Sequence, residues 1–270
     1  MKKYFRNFYK YRYLLYEIVR KNIKLQYRDS FLGILWTFLQ PLLTTIVLVI
    51  VFGNLLGKDS SKVLNYPIYL LCGRLLYDFY SQSTKRAMRS IKNSASVIKK
   101  VYVPKYMYPL ANVLSVFVTF IISLVVLVLF IAYFLLFSPN KPNLTPYVFL
   151  AFIPIGILFI LSLGIGLILC TLEVFFKDVE YLYDVFCMLL FYMTPIVYRI
   201  DQLKIENEWI MRLFMANPLY SIVNMFRDCV LFGQMININH LLYSLAFNVA
   251  MLAIGIVVFA KKQDKFILHI

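Results

Sequence analysis

Acidic and histidine side chains are scarce in this chain, which has 13 Asp and Glu and two histidines in 270 residues. The histidines, His240 and His269, share no His-Glu-x-x-His pattern, and no aspartates are paired as a metal-dependent phosphotransferase requires. A Gly-x-x-x-x-Gly-Lys-Ser/Thr phosphate loop is also missing, which excludes ATP binding by that route. The four cysteines (Cys72, Cys170, Cys187, Cys229) are too scattered for a metal clip and read as small apolar residues. Nor does the N-terminus read as a secretory leader. Nine of its first 30 residues are Lys or Arg, and the apolar run begins only at Phe31.

What is present is apolar. The chain is 61% hydrophobic and 15% charged, with a mean hydropathy of +0.75. Soluble domains are about half apolar and a quarter charged, so an integral membrane protein is expected. The net charge of +15 would suggest nucleic acid in a soluble chain. Here basic cytoplasmic loops against anionic membrane lipids explain it better, and no nucleic-acid partner is expected. Aromatic residues make up 17% of the chain and belong to spans, interfacial belts or a pore.

Crossing a bilayer takes roughly 20 apolar residues in a helix. Six segments are expected to do so: 32–56, 66–84, 106–137, 147–172, 181–198 and 241–260. Segments 1–30, 85–105, 173–180 and 261–270 together hold 20 Lys and Arg, whereas the alternate loops hold seven, Arg227 among them. The positive-inside rule then places both termini in the cytoplasm, as an even number of spans requires. The expected fold is an all-α integral membrane protein of a single domain over 1–270. Residues 1–30 form a cytoplasmic interfacial part, 32–260 the membrane part and 261–270 a cytoplasmic tail.

Residues 14–28 carry one polar stripe, with Glu17, Arg20, Lys21, Lys24 and Arg28 at i, i+3, i+4, i+7 and i+11. Tyr4, Phe5, Phe8, Tyr9, Tyr11 and Tyr13 precede it. This is an amphipathic helix resting on anionic headgroups, either a simple anchor or a collar that also touches a cytoplasmic partner.

Helix and span meet at Tyr27–Pro41, where charged Arg28 and Asp29 give way to Leu32-Gly33-x-x-Trp36-x-x-x-x-Pro41. Gly33 is expected to permit close backbone approach, Trp36 to sit in the interfacial belt, and Pro41 to lie about two turns into the span.

The loop 85–105 holds seven Lys and Arg around the apolar patch Ala95, Ser96, Val97 and Ile98. It reads either as a topology-setting basic loop or as a short docking helix. Between spans four and five, Glu173, Asp178 and Glu180 are acidic on the side where most loops are basic. A helix starting near Asp178 would favour those carboxylates.

Segment 201–238 is too apolar for a solvated loop, and Asn217-Pro218 breaks it. It reads either as short helices dipping back into the outer leaflet or as helices lying flat on the surface. Within span two, Arg74 and Asp78 stand at i, i+4, where ionisable groups are functional candidates by default and otherwise form a structural pair. Asp184 in span five carries the same ambiguity.

Three stretches resemble one family. They are the junction Tyr27–Pro41, the turn Phe176, Lys177, Asp178 and Val179 leading into 190–198, and the run Asn217–Asp228. Together they resemble the permease subunit of ABC-2-type exporters of lipid-linked polysaccharides such as O-antigen, capsule and teichoic acid. One departure is Lys177, where the family usually has Arg, which removes a bidentate donor.

The resemblance implies a homodimer in the bacterial cytoplasmic membrane, bound to two copies of a separate ATPase that holds ATP and Mg. This chain then carries no cofactor and no catalytic or metal site. By the same resemblance Lys92, Ser96, Val97, Ile98, Lys99, Phe176, Lys177 and Asp178 dock the ATPase, with Arg20, Lys21, Lys24 and Arg28 beside them. Leu32, Gly33, Trp36 and Pro41 would mark the mouth of the channel, and Trp209, Asn217, Pro218 and Tyr220 an outer gate. The expected substrate is an undecaprenyl-diphosphate-linked glycan, moved past aromatic side chains on which sugar rings stack. The alternatives are a small-molecule or drug exporter of the same superfamily, a membrane-embedded glycolipid enzyme, and a scaffold without a transport role.

Overall fold

The computed structural model describes residues 9–55, 65–137, 141–198 and 208–269. Tyr4, Phe5, Phe8, Lys58, Lys62, Arg199, Lys204 and the start of the outer segment, 201–207, lie outside the described residues. Every regular element among the described residues is helical. Among the described residues four stretches are long and apolar enough to cross a membrane: Gly33–Phe52, Met107–Phe137, Pro146–Phe175 and Ile238–His269.

The first helix, α1 (Arg12–Tyr27), follows from the polar stripe. Leu15, at 7% exposure, packs against Met107 and Ala111 at the start of α5 (Met107–Phe137). Arg20, Lys21, Lys24 and Arg28 stay exposed on the other side. A single turn, Gly33–Leu35, then leads into α2 (Trp36–Leu55), with Pro41 inside its second turn. Gly33 has φ +50°, and a Cβ there would meet nothing within 4 Å. The expected close approach is therefore corrected. Gly33 is needed because the joint turns through a left-handed conformation that disfavours side chains by about 1 kcal/mol.

The second span was expected to end at residue 84, before a basic loop. Instead α3 runs from Tyr66 to Asn93, 28 residues. Lys85, Arg86, Arg89 and Lys92 are thus helical, and the apolar patch forms a separate single turn, α4 (Ala95–Ile98). Segment 147–172 begins as a tight turn, Pro146–Ala151, and continues as α6 (Phe152–Phe175).

The fifth segment departs most from expectation. Here α7 (Val179–Met193) has 15 residues, about 22 Å of helix against a hydrocarbon core of about 30 Å. It stops because Thr194 precedes Pro195, which pushes it to extended backbone, with φ −101° and ψ 123°. Then come α8 (Glu208–Met215) and α9 (Pro218–Arg227), broken at Asn217-Pro218 as the sequence indicated. The chain closes with α10 (Ile238–Lys262) and the short α11 (Phe266–His269).

At the centre stands α3, packed against both α5 and α6. Phe79 meets Phe120 with ring centroids 5.0 Å apart, and Phe117 bridges them to Phe159 on α6 at 5.2 Å. The closest helix contact joins α6 to α10. A Cβ on Gly164 would lie 2.7 Å from Leu252 N, and one on Gly255 would lie 2.5 Å from Gly164 O. Such small residues let backbones touch where lipid offers no hydrophobic drive for association.

Packed against α3, α6 and α10, α9 is interior. Leu219, Ile222, Val223, Met225 and Phe226 are at most 2% exposed. The apolar face of this helix is thus covered by protein.

Candidate functional site

Three polar constellations interrupt the apolar bundle. The first lies at its basic end, where α3 faces the α6–α7 turn. Lys85 meets Asp184 at 2.7 Å, Arg89 meets Glu180 at 2.5 Å, and Lys92 meets Glu173 at 2.7 Å. The three basic residues sit at i, i+4 and i+7 on one face of α3, which aligns them with acids on both sides of the turn. Asp178 caps the start of α7, as expected, although its side chain accepts no capping bond.

Sequence reasoning placed Glu173, Glu180 and Asp184 without seeing this ladder. The four-residue spacing shared by Lys85 and Arg89 and by Glu180 and Asp184 was the available signal. Around the ladder, Ile91, Ile98, Tyr108, Val174, Phe259 and Phe266 gather helices α3, α4, α5, α6, α10 and α11 into one apolar hub. Lys105 donates to the Gln263 carbonyl, and burial pushes its amine below the usual lysine range while Asp264 pulls it back.

The residues expected to dock a partner divide on this frame. Lys92 is held by Glu173, and Ile98 is 8% exposed within the hub. Ser96, Lys99, Lys177 and Asp178 are exposed, with Val97 at 42% and Phe176 at 64%. Val101 and Tyr102, not singled out from the sequence, extend that surface and are also exposed. The presented face thus mixes apolar and charged groups, while two of its expected members face inward.

At the other end, Arg227 is the centre. Counted from the sequence with the outward basic loops, it is instead 1% exposed. Its Nη1 donates to the Pro195 carbonyl at 2.7 Å and Nη2 to the Ile196 carbonyl at 3.1 Å. Nε and Nη2 both reach the Tyr69 carbonyl, and the guanidinium lies 3.5 Å from the centre of the Tyr69 ring. A Cβ on Gly73 would stand 2.5 Å from Arg227 Nη2, so that glycine makes the room.

Tyr66 and Tyr69 donate to the carbonyls of Val197 and Tyr198 at 2.9 and 3.1 Å. Asn217 donates to Thr194 Oγ1 at 2.9 Å while its own oxygen caps α9 through Leu219 N at 3.0 Å. These bonds satisfy an irregular, turned stretch, 194–198, that would otherwise leave bare carbonyls in an apolar setting.

Of the expected gate residues, Asn217 and Pro218 belong to this knot. Tyr220 packs its ring 5.9 Å from that of His240, and exposed Trp209 carries Arg212 at 5.4 Å.

The third constellation is a cleft between α2, α3 and α5. Arg74 Nε lies 2.8 Å from Asp78 Oδ2, with both side chains about a quarter exposed (27% and 29%). Thr37, Gln40, Thr44 and Pro41 of α2 face them, with Gln82 of α3 and Thr119 and Ser123 of α5. Gln26 and Tyr27 at the end of α1 close one side, and Gln26 Oε1 accepts from Arg86 at 2.9 Å. Of the junction residues, Pro41 lines the cleft, whereas Trp36, at 42% exposure, stands beside it on α2. Gly33 and half-buried Leu32 form the turn leading in.

Helical throughout the described residues, with apolar helices long enough to span a bilayer and an ion-paired basic end, the chain has the form of a membrane-embedded protein. Residues 13–231 match the family described as ABC-2 type transporter, and the chain belongs to that family. It is similar end to end to permeases of polysaccharide export. It is 28% identical to the O-antigen export system permease protein RfbA of Klebsiella pneumoniae, over 94% of this chain and 93% of that one. The protein of the same description from Myxococcus xanthus is 26% identical, over 97% and 96%. The polysialic acid transport protein KpsM of Escherichia coli is 21% identical, over 90% and 91%.

Proposed function

We propose that this chain is the membrane-spanning subunit of an ATP-driven exporter that moves a lipid-linked polysaccharide across the bacterial cytoplasmic membrane. The observation that carries this reading is the similarity, over 94% of the chain, to a protein described as an O-antigen export permease.

In this reading α2, α3, α5, α6, α7 and α10 cross the membrane, and the basic end with both termini faces the cytoplasm. The charge distribution supports that orientation. The short α7 reaches across with the help of the irregular stretch 194–198, whose carbonyls accept from protein donors. That is the condition for irregular backbone at membrane depth, and it supports a dipping outer segment built on α9.

Two copies of the chain would join two copies of a separate ATPase, the source of ATP and Mg. Ser96, Val97, Lys99, Phe176, Lys177 and Asp178 offer the exposed docking face. Nucleotide binding would then shift the hub and the ladder together as a rigid body.

Purified chain in lipid, alone and with the ATPase encoded beside it, tests the proposal. The expected result is no hydrolysis alone, a stable complex, and hydrolysis in the complex that responds to glycan lipid. A chain that binds no ATPase, or one that hydrolyses ATP alone, would overturn it.

A further inference from the structure

Three polar stripes, each at helical spacing on a different helix, converge on the cleft between α2, α3 and α5. On α2 they are Thr37, Gln40 and Thr44; on α3, Arg74, Asp78 and Gln82; on α5, Thr119 and Ser123. The hydroxyls are accounted for locally. Thr37 donates to Ile34 O at 2.6 Å, Thr44 to Gln40 O at 2.8 Å and Ser123 to Thr37 O at 3.0 Å. The amides are not. Gln40 and Gln82 are exposed, and their side chains have no hydrogen-bond partner among the described residues. A carboxylate, a guanidinium and two free amides are costly against hydrocarbon, so this face does not look onto lipid tails.

We infer that the cleft binds a neutral, hydroxyl-rich sugar unit. Charge decides between sugar and phosphate. Arg74 and Asp78 neutralise each other at 2.8 Å, so the cleft presents no net positive charge to an anion. A salt-bridged pair still offers a carboxylate that accepts hydroxyl protons and a guanidinium that donates to hydroxyl oxygens. Gln40 and Gln82 supply both kinds of partner on the opposing walls, and half-occupied Thr and Ser oxygens still accept.

Beneath these groups Leu75, Phe79, Val116 and Phe120 are apolar and almost wholly buried, so the polar side chains stand on a packed base and recognition falls to hydrogen bonds with hydroxyls. With Gln26 and Tyr27 at one end, the cleft opens beside α1, where a headgroup anchored in the membrane surface would arrive. The inference deepens the export reading and rests on it: the sugar is part of the lipid-linked cargo, met within one copy of the chain.

The test uses the full permease in nanodiscs. All four cysteines are buried, so a dye on Leu43→Cys, exposed on α2 next to the cleft but not lining it, labels one place. Discs of phosphatidylglycerol alone are compared with discs containing diglucosyl-diacylglycerol, and with the first discs plus maltose in solution. A dye response to the glucosyl lipid and not to phosphatidylglycerol is expected, weakened about tenfold by Asp78→Asn. Gln82→Ala, an exposed position with no partner to lose, should weaken it as well and guards against a folding defect in the first variant.

A response to maltose as well would keep the hydroxyl chemistry and place the source in solution. Three results overturn the inference: silence toward both sugars, an equal response to phosphatidylglycerol, or a dye shielded by a second copy and blind to every lipid. Assembly with the ATPase in the same discs separates the two readings. If the complex forms and the dye is silent, the cleft fails and the exporter stands; if no complex forms, the exporter reading fails.

Discussion

Lys92 and Glu173 meet at 2.7 Å across the basic end of the bundle, and only one oxygen of that carboxylate is used. The other, Oε2, is buried without a hydrogen-bond partner, and Glu173 as a whole is 2% exposed. A buried charge held by a single donor is poorly compensated. The pair therefore fixes α3 to the end of α6 at some cost, and losing its lysine leaves the carboxylate unpaired.

Lys92→Met is accordingly expected to lower stability by about 2–4 kcal/mol, tempered because the lysine is partly exposed. Lys92→Met combined with Glu173→Leu should recover most of the loss, since it removes both charges. Thermal unfolding of the purified chain in detergent reads both. A single variant as stable as the parent would show that the pair contributes nothing to holding α3 against α6.

Arg227 is the second point of failure. Arg227→Met strands the carbonyls of Pro195 and Ile196 in an apolar setting and should cost about 2–5 kcal/mol. Arg227→Lys keeps the charge but not the planar fork, so it should recover only part of that. Stability equal to the parent in the lysine variant would show that a point charge suffices. Gly73→Ala belongs to the same test, because its new Cβ would fall 2.5 Å from Arg227 Nη2.

Why was Arg227 misplaced and the polar stripe on α1 read correctly? Helical periodicity is local, so α1, α5, α6 and α10 stood out from spacing and apolar length alone. The break at Asn217-Pro218 and the helix start at Asp178 were local too. Arg227 depends on a ring 158 residues away, on Tyr69, and on a stretch bent open by Pro195. Nothing within a turn of Arg227 announces those partners. The end of α3 was misjudged differently: lysines and arginines were read as loop because they are charged, although they are good helix formers. Their acidic partners, Glu173 at the end of α6 and Glu180 and Asp184 on α7, let the helix continue. Gly33 was singled out for the wrong reason, since a sequence does not distinguish a glycine needed for space from one needed for its φ.

Val97 and Ile98 separate docking from folding. Ile98 is 8% exposed within the hub, whereas Val97 is 42% exposed on the same single turn. Ile98→Asp should therefore destabilise the chain itself, by several kcal/mol if the carboxylate stays buried and charged. Val97→Asp should leave unfolding unchanged within about 0.5 kcal/mol yet weaken binding of the ATPase. Pull-down of the ATPase, set beside thermal unfolding, reads the difference. Undiminished binding by Val97→Asp would remove this turn from the docking face.

The joint between α1 and α2 divides in the same way. Gly33 holds φ +50° in open space, so Gly33→Ala meets no clash and should cost only the left-handed conformation, about 1 kcal/mol. Its larger effect should be on direction: a residue that prefers negative φ would swing the amphipathic helix relative to the span. Trp36, three residues on and 42% exposed, has little packing to lose. Trp36→Ala should then leave the unfolding temperature nearly unchanged while reducing export, if the ring stands where cargo meets the membrane surface. Export by both variants in reconstituted vesicles, normalised to folded complex, checks this. Normal export by Trp36→Ala would confine the ring to anchoring, because an anchor loses little when a single interfacial aromatic is removed from a helix of this length.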